Sequence, residues 1–216
     1  MGRDVKGVVA ALAELPLPAQ PGKSQLAVTL DNAWTRFQLM RFPAKVNTAQ
    51  EREVFLKASF RRVFGAEVEG WAIAVEPACL GLPVMAVAVD PTLIAALSRL
   101  AGRHQMTLRS VQPEFVDAFN RARPMLSGQQ GAFAQIGHGR VCMALWRRQT
   151  WVAVRSQPMD PAADGPVGAM LAQMLANVDP TMAKGTLHLA GGDDRSPLPE
   201  ALPVGWTAMR LPAPTP

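Results

Sequence analysis

Gly137 and Gly139, on either side of His138 within Ile136-Gly137-His138-Gly139-Arg140, are the residues of this sequence best suited to holding an anion. A glycine-flanked turn offers backbone N–H donors with no side chain in front of them, and aligned N–H groups bind phosphate. A second pair, Gly191-Gly192, follows the strand-like run Leu187-His188-Leu189-Ala190. The same glycines could equally serve as tight turns, because glycine reaches backbone conformations that other residues avoid. His138 is the only one of three histidines in such a loop; His104 and His188 stand far from it in sequence. As an exposed turn residue His138 needs no function at all. Cys79 and Cys142 lie singly in apolar runs, without the CxxC spacing or the histidine cluster of a metal site. No GxSxG, HExxH, P-loop or dinucleotide fingerprint occurs, and Asp193-Asp194-Arg195 reads as a solvated turn. The residues therefore predict neither a metal site nor a catalytic one.

Bulk properties narrow the classes further. With 216 residues, 49% of them hydrophobic, the chain can bury a substantial core. Charged residues make up 18%, below the roughly 25% of an average domain, which leaves neutral surface for a partner protein to cover. The net charge of +5 is spread along the chain, a generic pull toward anions. A nucleic-acid reader combines a basic stripe with aromatic stacking platforms; this chain has no tyrosine and 6% aromatics, so nucleic acid is not expected. Charges at Arg3, Asp4, Lys6 and Glu14 interrupt any signal peptide, and Lys6 stands where a myristoylation site needs serine or threonine. Glu76, Pro77 and Pro83 break the longest apolar region, so no membrane span is expected. Two unpaired thiols fit the cytoplasm.

The elements that would position these glycines can be read from local signals. Residues 4–15 suggest a short helix, followed by a proline-rich linker. The runs at 25–30 and 34–42, separated by the turn-prone Asp31-Asn32, suggest a hairpin. Thr48 with Glu51 has the spacing of a capping box, and Gly65 that of a C-cap, which bounds a helix over 48–64. Its apolar stripe is Ala49, Leu56, Phe60 and Val63; Val54, about 160° from Leu56 around the axis, implies a second contact, with a loop or a ligand. Strands follow over 70–77 and 83–90, the second apolar enough to be buried on both faces. Asp90-Pro91 opens a helix running to His104. A strand and then a helix opened by Pro113 come next, with Val116 and Phe119 facing inward. This strand-helix-strand order predicts a parallel crossover. After Leu126-Ser127-Gly128, a hairpin over 131–157 has Trp146 and Trp151 as a cross-strand pair. A methionine-rich helix at 165–178, the strand before Gly191-Gly192, a short helix over 196–202 and a last strand at 205–211 complete a mixed α/β pattern.

In this order the segments Leu26–Pro43, Val84–Arg123, Ala134–Ser156 and Leu187–Gly192 resemble the actin-like, ribonuclease-H-like proteins of bacterial envelope machines, the PilM-like component of type IV pilus assembly and the GspL-like component of type II secretion. The resemblance implies an actin-like ATPase fold of two mixed-sheet lobes, shortened at the N-terminus: 1–23 a helix and linker, 24–127 the first lobe, 128–212 the second, 213–216 a tail. It also implies a nucleotide cleft between two glycine-bearing turns, each near an acid that positions magnesium, with a Gly-Gly turn beside the adenosine. Gly137, His138 and Gly139 match the second phosphate turn, and Gly191 with Gly192 matches the adenosine turn. Gln135 stands where that pattern has aspartate, and no glycine-rich turn with aspartate precedes Ser24, where the first phosphate turn is expected. The implied protein is a pseudo-ATPase with no cofactor: a cytoplasmic scaffold or adaptor, peripheral on the inner membrane, that grips the cytoplasmic tail of a membrane partner or the motor ATPase. Val54, Phe55 and Ala58 on the 48–64 helix are the expected partner contacts. Arg52, Arg61 and Arg62 form a basic face on the same helix that would steer toward acidic groups. A switch protein that binds ATP in the same cleft is the alternative.

Overall fold

The computed structural model describes residues 4–17, 24–77, 81–126, 128–159, 165–178, 181–192, 198–199 and 201–212. In chain order its elements are α1 (Val5–Glu14), β1 (Gln25–Leu30), β2 (Thr35–Met40), α2 (Ala49–Phe64), β3 (Ala72–Val75), β4 (Val84–Val89), α3 (Pro91–Arg103), β5 (Thr107–Pro113), α4 (Glu114–Ala122), β6 (Gln130–Gly137), β7 (Arg140–Arg147), β8 (Thr150–Pro158), α5 (Pro166–Val178), β9 (Gly185–Gly191) and β10 (Trp206–Arg210). Most of the linker after α1, Cys79, the Asp193-Asp194-Arg195 turn and the 213–216 tail lie outside the described residues. In the expected helix over 196–202, residues 198–199 and 201–202 are described and are not helical.

Signals that act within a few residues fix their elements closely. Thr48 accepts from Glu51 N while the Glu51 carboxylate accepts from Thr48 N, and Gly65 at φ 73° ends the helix. Asp90 accepts from Thr92 N ahead of Pro91. Partner choice, which depends on distant residues, departs from expectation. The hairpin between 25–30 and 34–42 does not form: β1 pairs parallel with β5, and β2 pairs antiparallel with β4. A turn-prone pair specifies that the chain turns, not which strand it then meets. Here Asp31 caps a 3-10 turn over Asn32–Trp34, accepting from Ala33 N at 2.7 Å, and the chain passes into a different sheet. For the same reason the parallel neighbour of β5 is β1 and not β4.

The strands form a β1-β5 pair, a β2-β4-β3 sheet and a five-stranded β10-β9-β6-β7-β8 sheet. Alternation along β6 and β7 buries both faces of the last. Ala132, Ala134, Val141, Met143 and Leu145 pack with Met170, Leu171 and Met174 of α5. Phe133, Cys142, Ala144 and Trp146 pack with Phe115, Ala118 and Ala122 of α4. The inner face of α4 is thus centred on Phe115, with Val116 and Phe119 half-buried beside it. Trp146 and Trp151 stand opposite each other across the β7–β8 turn, as their spacing suggests. In α2 only Leu56 and Phe60 of the expected stripe are buried, against β4. Ala49 is exposed and Val63 is 54% exposed, while Val54, at 63%, faces solvent and not a second contact.

His188 of β9 is fully buried beside the Trp146 ring, at 5.8 Å between centroids, and neither ring nitrogen has a hydrogen-bond partner among the described residues. Burial holds this imidazole below its ordinary value of 6.5, because the charged form loses its hydration. A folded value below the unfolded one gives stability that is complete above about pH 6.5 and is lost as pH falls toward the depressed value. Thermal melts from neutral to mildly acid pH should therefore show a falling Tm, and His188→Phe should flatten that fall.

Candidate functional site

Two turns remote in sequence meet at the end of β6. One is the Asp31–Trp34 turn after β1; the other joins β6 to β7, with His138 at φ 48° and Gly139 at φ 69°. Positive φ at both central residues is the backbone of a tight two-residue hairpin, which accounts for Gly139 without a ligand. His138 Nδ1 lies 3.2 Å from Asp31 Oδ2 and 3.9 Å from Glu114 Oε2, an ion pair only while the imidazole is protonated. Glu114 opens α4, where the helix dipole favours an acid. Burial nevertheless raises its carboxyl above the ordinary 4.5; His138 opposes this and the Asp31 carboxylate adds to it.

Beneath these three groups lies a buried amide network. Gln135, 3% exposed, accepts through Oε1 from Asn32 Nδ2 and donates through its amide to Glu114. Asn32, also 3% exposed, accepts from Phe115 N at 2.9 Å, and its own carbonyl accepts from Thr35 Oγ1 at 2.9 Å. Each end of the Gln135 amide is thus committed to a neighbour. A Cβ on Gly137 would stand 2.9 Å from Gln135 Nε2 and 3.2 Å from Glu114 Oε1, so a side chain here would have to displace the ends of both.

Gly191 and Gly192 join the same region from β9. A Cβ on Gly191 would meet the Ile136 carbonyl oxygen at 2.3 Å, so the close approach of β9 to β6 requires glycine there. Gly192 N donates to that oxygen at 2.9 Å, and Arg210 Nη1 donates to Gly191 O at 2.9 Å. Gly137, His138, Gly191 and Gly192 are therefore gathered around Gln135 and Ile136, with Gly139 at the open side of its turn. Val54, Phe55 and Ala58 lie elsewhere, on α2; Phe55 packs on Phe42 at 5.6 Å, while Val54 and Ala58 are exposed.

Among the described residues, the turn facing Gly137–Gly139 is Asp31–Trp34, which supplies an acid but contains no glycine; the residues just before Ser24, where a first phosphate turn is expected, lie outside the described residues. Asp31, Asn32 and Glu114 are the site residues that sequence reasoning missed. Asp31-Asn32 was legible only as a turn, and Glu114 only as the first residue of a helix. Ligand atoms of Asp31, Glu114 and His138 lie within 4.8 Å of one another, a spacing that a cation could bridge.

No family model matches this sequence, and no curated protein matches it. Solved structures do match its fold. The chain is similar to a structure of the PilM-PilN type IV pilus biogenesis complex, at TM-score 0.57 and 16% identity over 94% of this chain and 74% of that one. It is similar to the cytoplasmic domain of EpsL, an inner membrane component of the type II secretion system of Vibrio cholerae, at TM-score 0.52 and 13% identity over 95% and 75%. A Bacteroides thetaiotaomicron protein of unknown function aligns at TM-score 0.50 and 11% identity over 80% of this chain and 61% of that one. That protein has an actin-like ATPase fold, and an actin-like fold is what this chain shares with all three.

Proposed function

We propose that this protein is a non-catalytic actin-like adaptor of an inner-membrane assembly platform, of the type IV pilus or type II secretion kind, and that it grips the cytoplasmic segment of a membrane partner. The observation that carries the loss of catalysis is the Asn32–Gln135–Glu114 chain beneath the Gly137–Gly139 turn. Phosphoryl transfer needs donors and a metal aimed at the phosphates. Magnesium takes oxygen ligands in a near-ideal octahedron. Here the amide at the metal-positioning place is bonded to its neighbours, and the carboxylates of Asp31 and Glu114 face His138. Gln135 Oε1 is thereby taken, and a cation at Asp31 and Glu114 would have to compete with His138. The two glycine turns have a sufficient role in the tight β6–β7 connection and the close β6–β9 approach.

Partner binding is read onto the β2-β4-β3 sheet and α2. The fold resemblance supports it, since one structure of similar fold is a complex of PilM with PilN. Among the described residues β3 pairs only with β4, which leaves it a strand edge to which an extended tail can add. On the outer side of α2, Val54 and Ala58 are exposed apolar positions among charged neighbours, and Phe55 is half-buried against Phe42. No helix among the described residues is long and apolar enough to cross a membrane, so on this reading the protein reaches the membrane through its partner. Tagged full-length protein from gently solubilised membranes should co-purify with inner-membrane pilus or secretion proteins, identified by mass spectrometry. Recovery of the chain alone would remove the proposal. Val54→Asp, at a solvent-facing position, should reduce that co-purification severalfold and leave Tm within the ordinary range of surface changes, about 0.5 kcal/mol or less.

A nucleotide-responsive switch is the second reading, favoured by Asp31 facing the Gly137–Gly139 turn. It predicts saturable ATP binding weakened by Gly137→Val or Gly192→Val.

A further inference from the structure

The β7–β8 turn stands at the opposite end of β7 from the cleft, and its tip, Arg148-Gln149, adopts positive φ at both residues. Arg147 and Arg148 divide two concavities. One, of about 570 Å³, has Leu39, Pro83, Val152 and Val178 among its walls and Arg41 at its rim. The other, of about 580 Å³, has Lys184, Thr186 and Thr207 among its lining residues. Among the described residues, no acidic side chain lines either one. Arg41, Arg148 and Lys184 are exposed, and none makes an ion pair among the described residues. Arg147 donates to Thr181 Oγ1 at 3.1 Å. Cationic side chains contributed by three separate segments thus mark a track across the turn, apolar at one end and hydroxyl-bearing at the other.

We infer that this track is a second docking surface, for an acidic segment of a partner protein. In an extended segment successive side chains face opposite ways. Aliphatic side chains then enter the Leu39–Val152 concavity while carboxylates meet Arg41, Arg148 and Lys184. Charge complementarity of this kind orients a partner and speeds its arrival. The alternatives fit less well. Nucleic acid needs a free aromatic platform, but Trp151 packs on Phe119 at 4.7 Å and donates to Glu76 Oε2 at 3.0 Å. A flat bilayer would meet the Arg148 tip but not walls recessed in a concavity. The surface is separate from α2 and β3, so it stands or falls independently of the tail-binding site proposed there.

The probe is a fluorescein-labelled octapeptide alternating Glu and Leu, titrated with the full chain and followed by anisotropy. Saturable binding is expected. Arg41→Glu with Arg148→Glu should weaken it at least about tenfold, equivalent to roughly 1.4 kcal/mol. Lys184→Glu, on a different segment, should weaken it severalfold, while Lys6→Glu on α1 with Arg99→Glu on α3, both exposed and outside either concavity, should leave it unchanged. A Glu-Ser peptide should bind more weakly because it leaves the apolar concavity empty. Equal binding by a Lys-Leu peptide, or insensitivity to both the double variant and Lys184→Glu in proteins with parental melts, would overturn the inference. So would binding to vesicles of phosphatidylglycerol and phosphatidylcholine without binding to the peptide, which would assign the track to a membrane surface.

Discussion

Gly131→Val should leave a protein that no longer unfolds cooperatively at the parental denaturant midpoint, with a loss above about 3 kcal/mol, the upper part of the range for overpacked cores. Gly131 is buried in β6 directly opposite Trp146 of β7, and the indole ring lies over it. A Cβ at this position would stand 2.5 Å from Trp146 Cζ2, 2.8 Å from Cη2 and 3.0 Å from the Thr186 carbonyl oxygen. The ring has little freedom to yield: it is 8% exposed, tilted against the buried His188 at 5.8 Å, and paired across the turn with Trp151. The carbonyl belongs to the neighbouring strand β9 and cannot move without the sheet. Valine adds two methyl groups to a site that already excludes one. Urea titration is the measurement. Gly131→Ala should lose less, and combining it with Trp146→Leu should cost less than the sum of the two single changes, because the pair shares one space. A valine variant with the parental midpoint would show that the ring does not lie where it is described.

Asn32→Ala is expected to cost about 3 kcal/mol through a different mechanism. It removes no large volume, but it strands two buried groups, the amide N of Phe115 and Oε1 of Gln135, and each unsatisfied buried group costs about 1–3 kcal/mol. Its partners lie 83 and 103 residues away, so the loss loosens contact between the 31–34 turn, the start of α4 and the end of β6. Gln135→Leu should cost less, because the two groups it strands, the buried Asn32 Nδ2 and the half-buried Glu114 carboxylate, include no backbone amide, and the carboxylate can be hydrated. Chemical denaturation of both variants separates the two cases. An Asn32→Ala protein as stable as the parent would mean that water satisfies these groups and that the amide chain is not a structural lock.

These two residues also mark the limit of what the sequence discloses. Features governed by residues a few positions apart were legible: the Thr48–Glu51 capping box with Gly65, the Asp90-Pro91 helix start, and the 131–157 hairpin with its Trp pair. So was the actin-like architecture, through the order of its elements. Strand partnership was not, because the apolar runs on either side of Asp31-Asn32 are equally good strands whether they pair with each other or with β5 and β4. The cleft was legible in its glycines and in Gln135, and opaque in Asp31, Asn32 and Glu114. Their meeting depends on the fold bringing β1 beside β5 and α4 against β6, and no local spacing encodes that. Gly131 carries no local signal either; only the ring opposite explains it.

The cleft decides between an adaptor and a nucleotide switch, and isothermal titration of the full chain with ATP and magnesium tests it most directly. The closed Asn32–Gln135–Glu114 network predicts no saturable heat up to about millimolar nucleotide, where a bound state would still be worth only about 4 kcal/mol. A saturable isotherm lost in Gly192→Val would contradict it and make the protein a nucleotide-binding one.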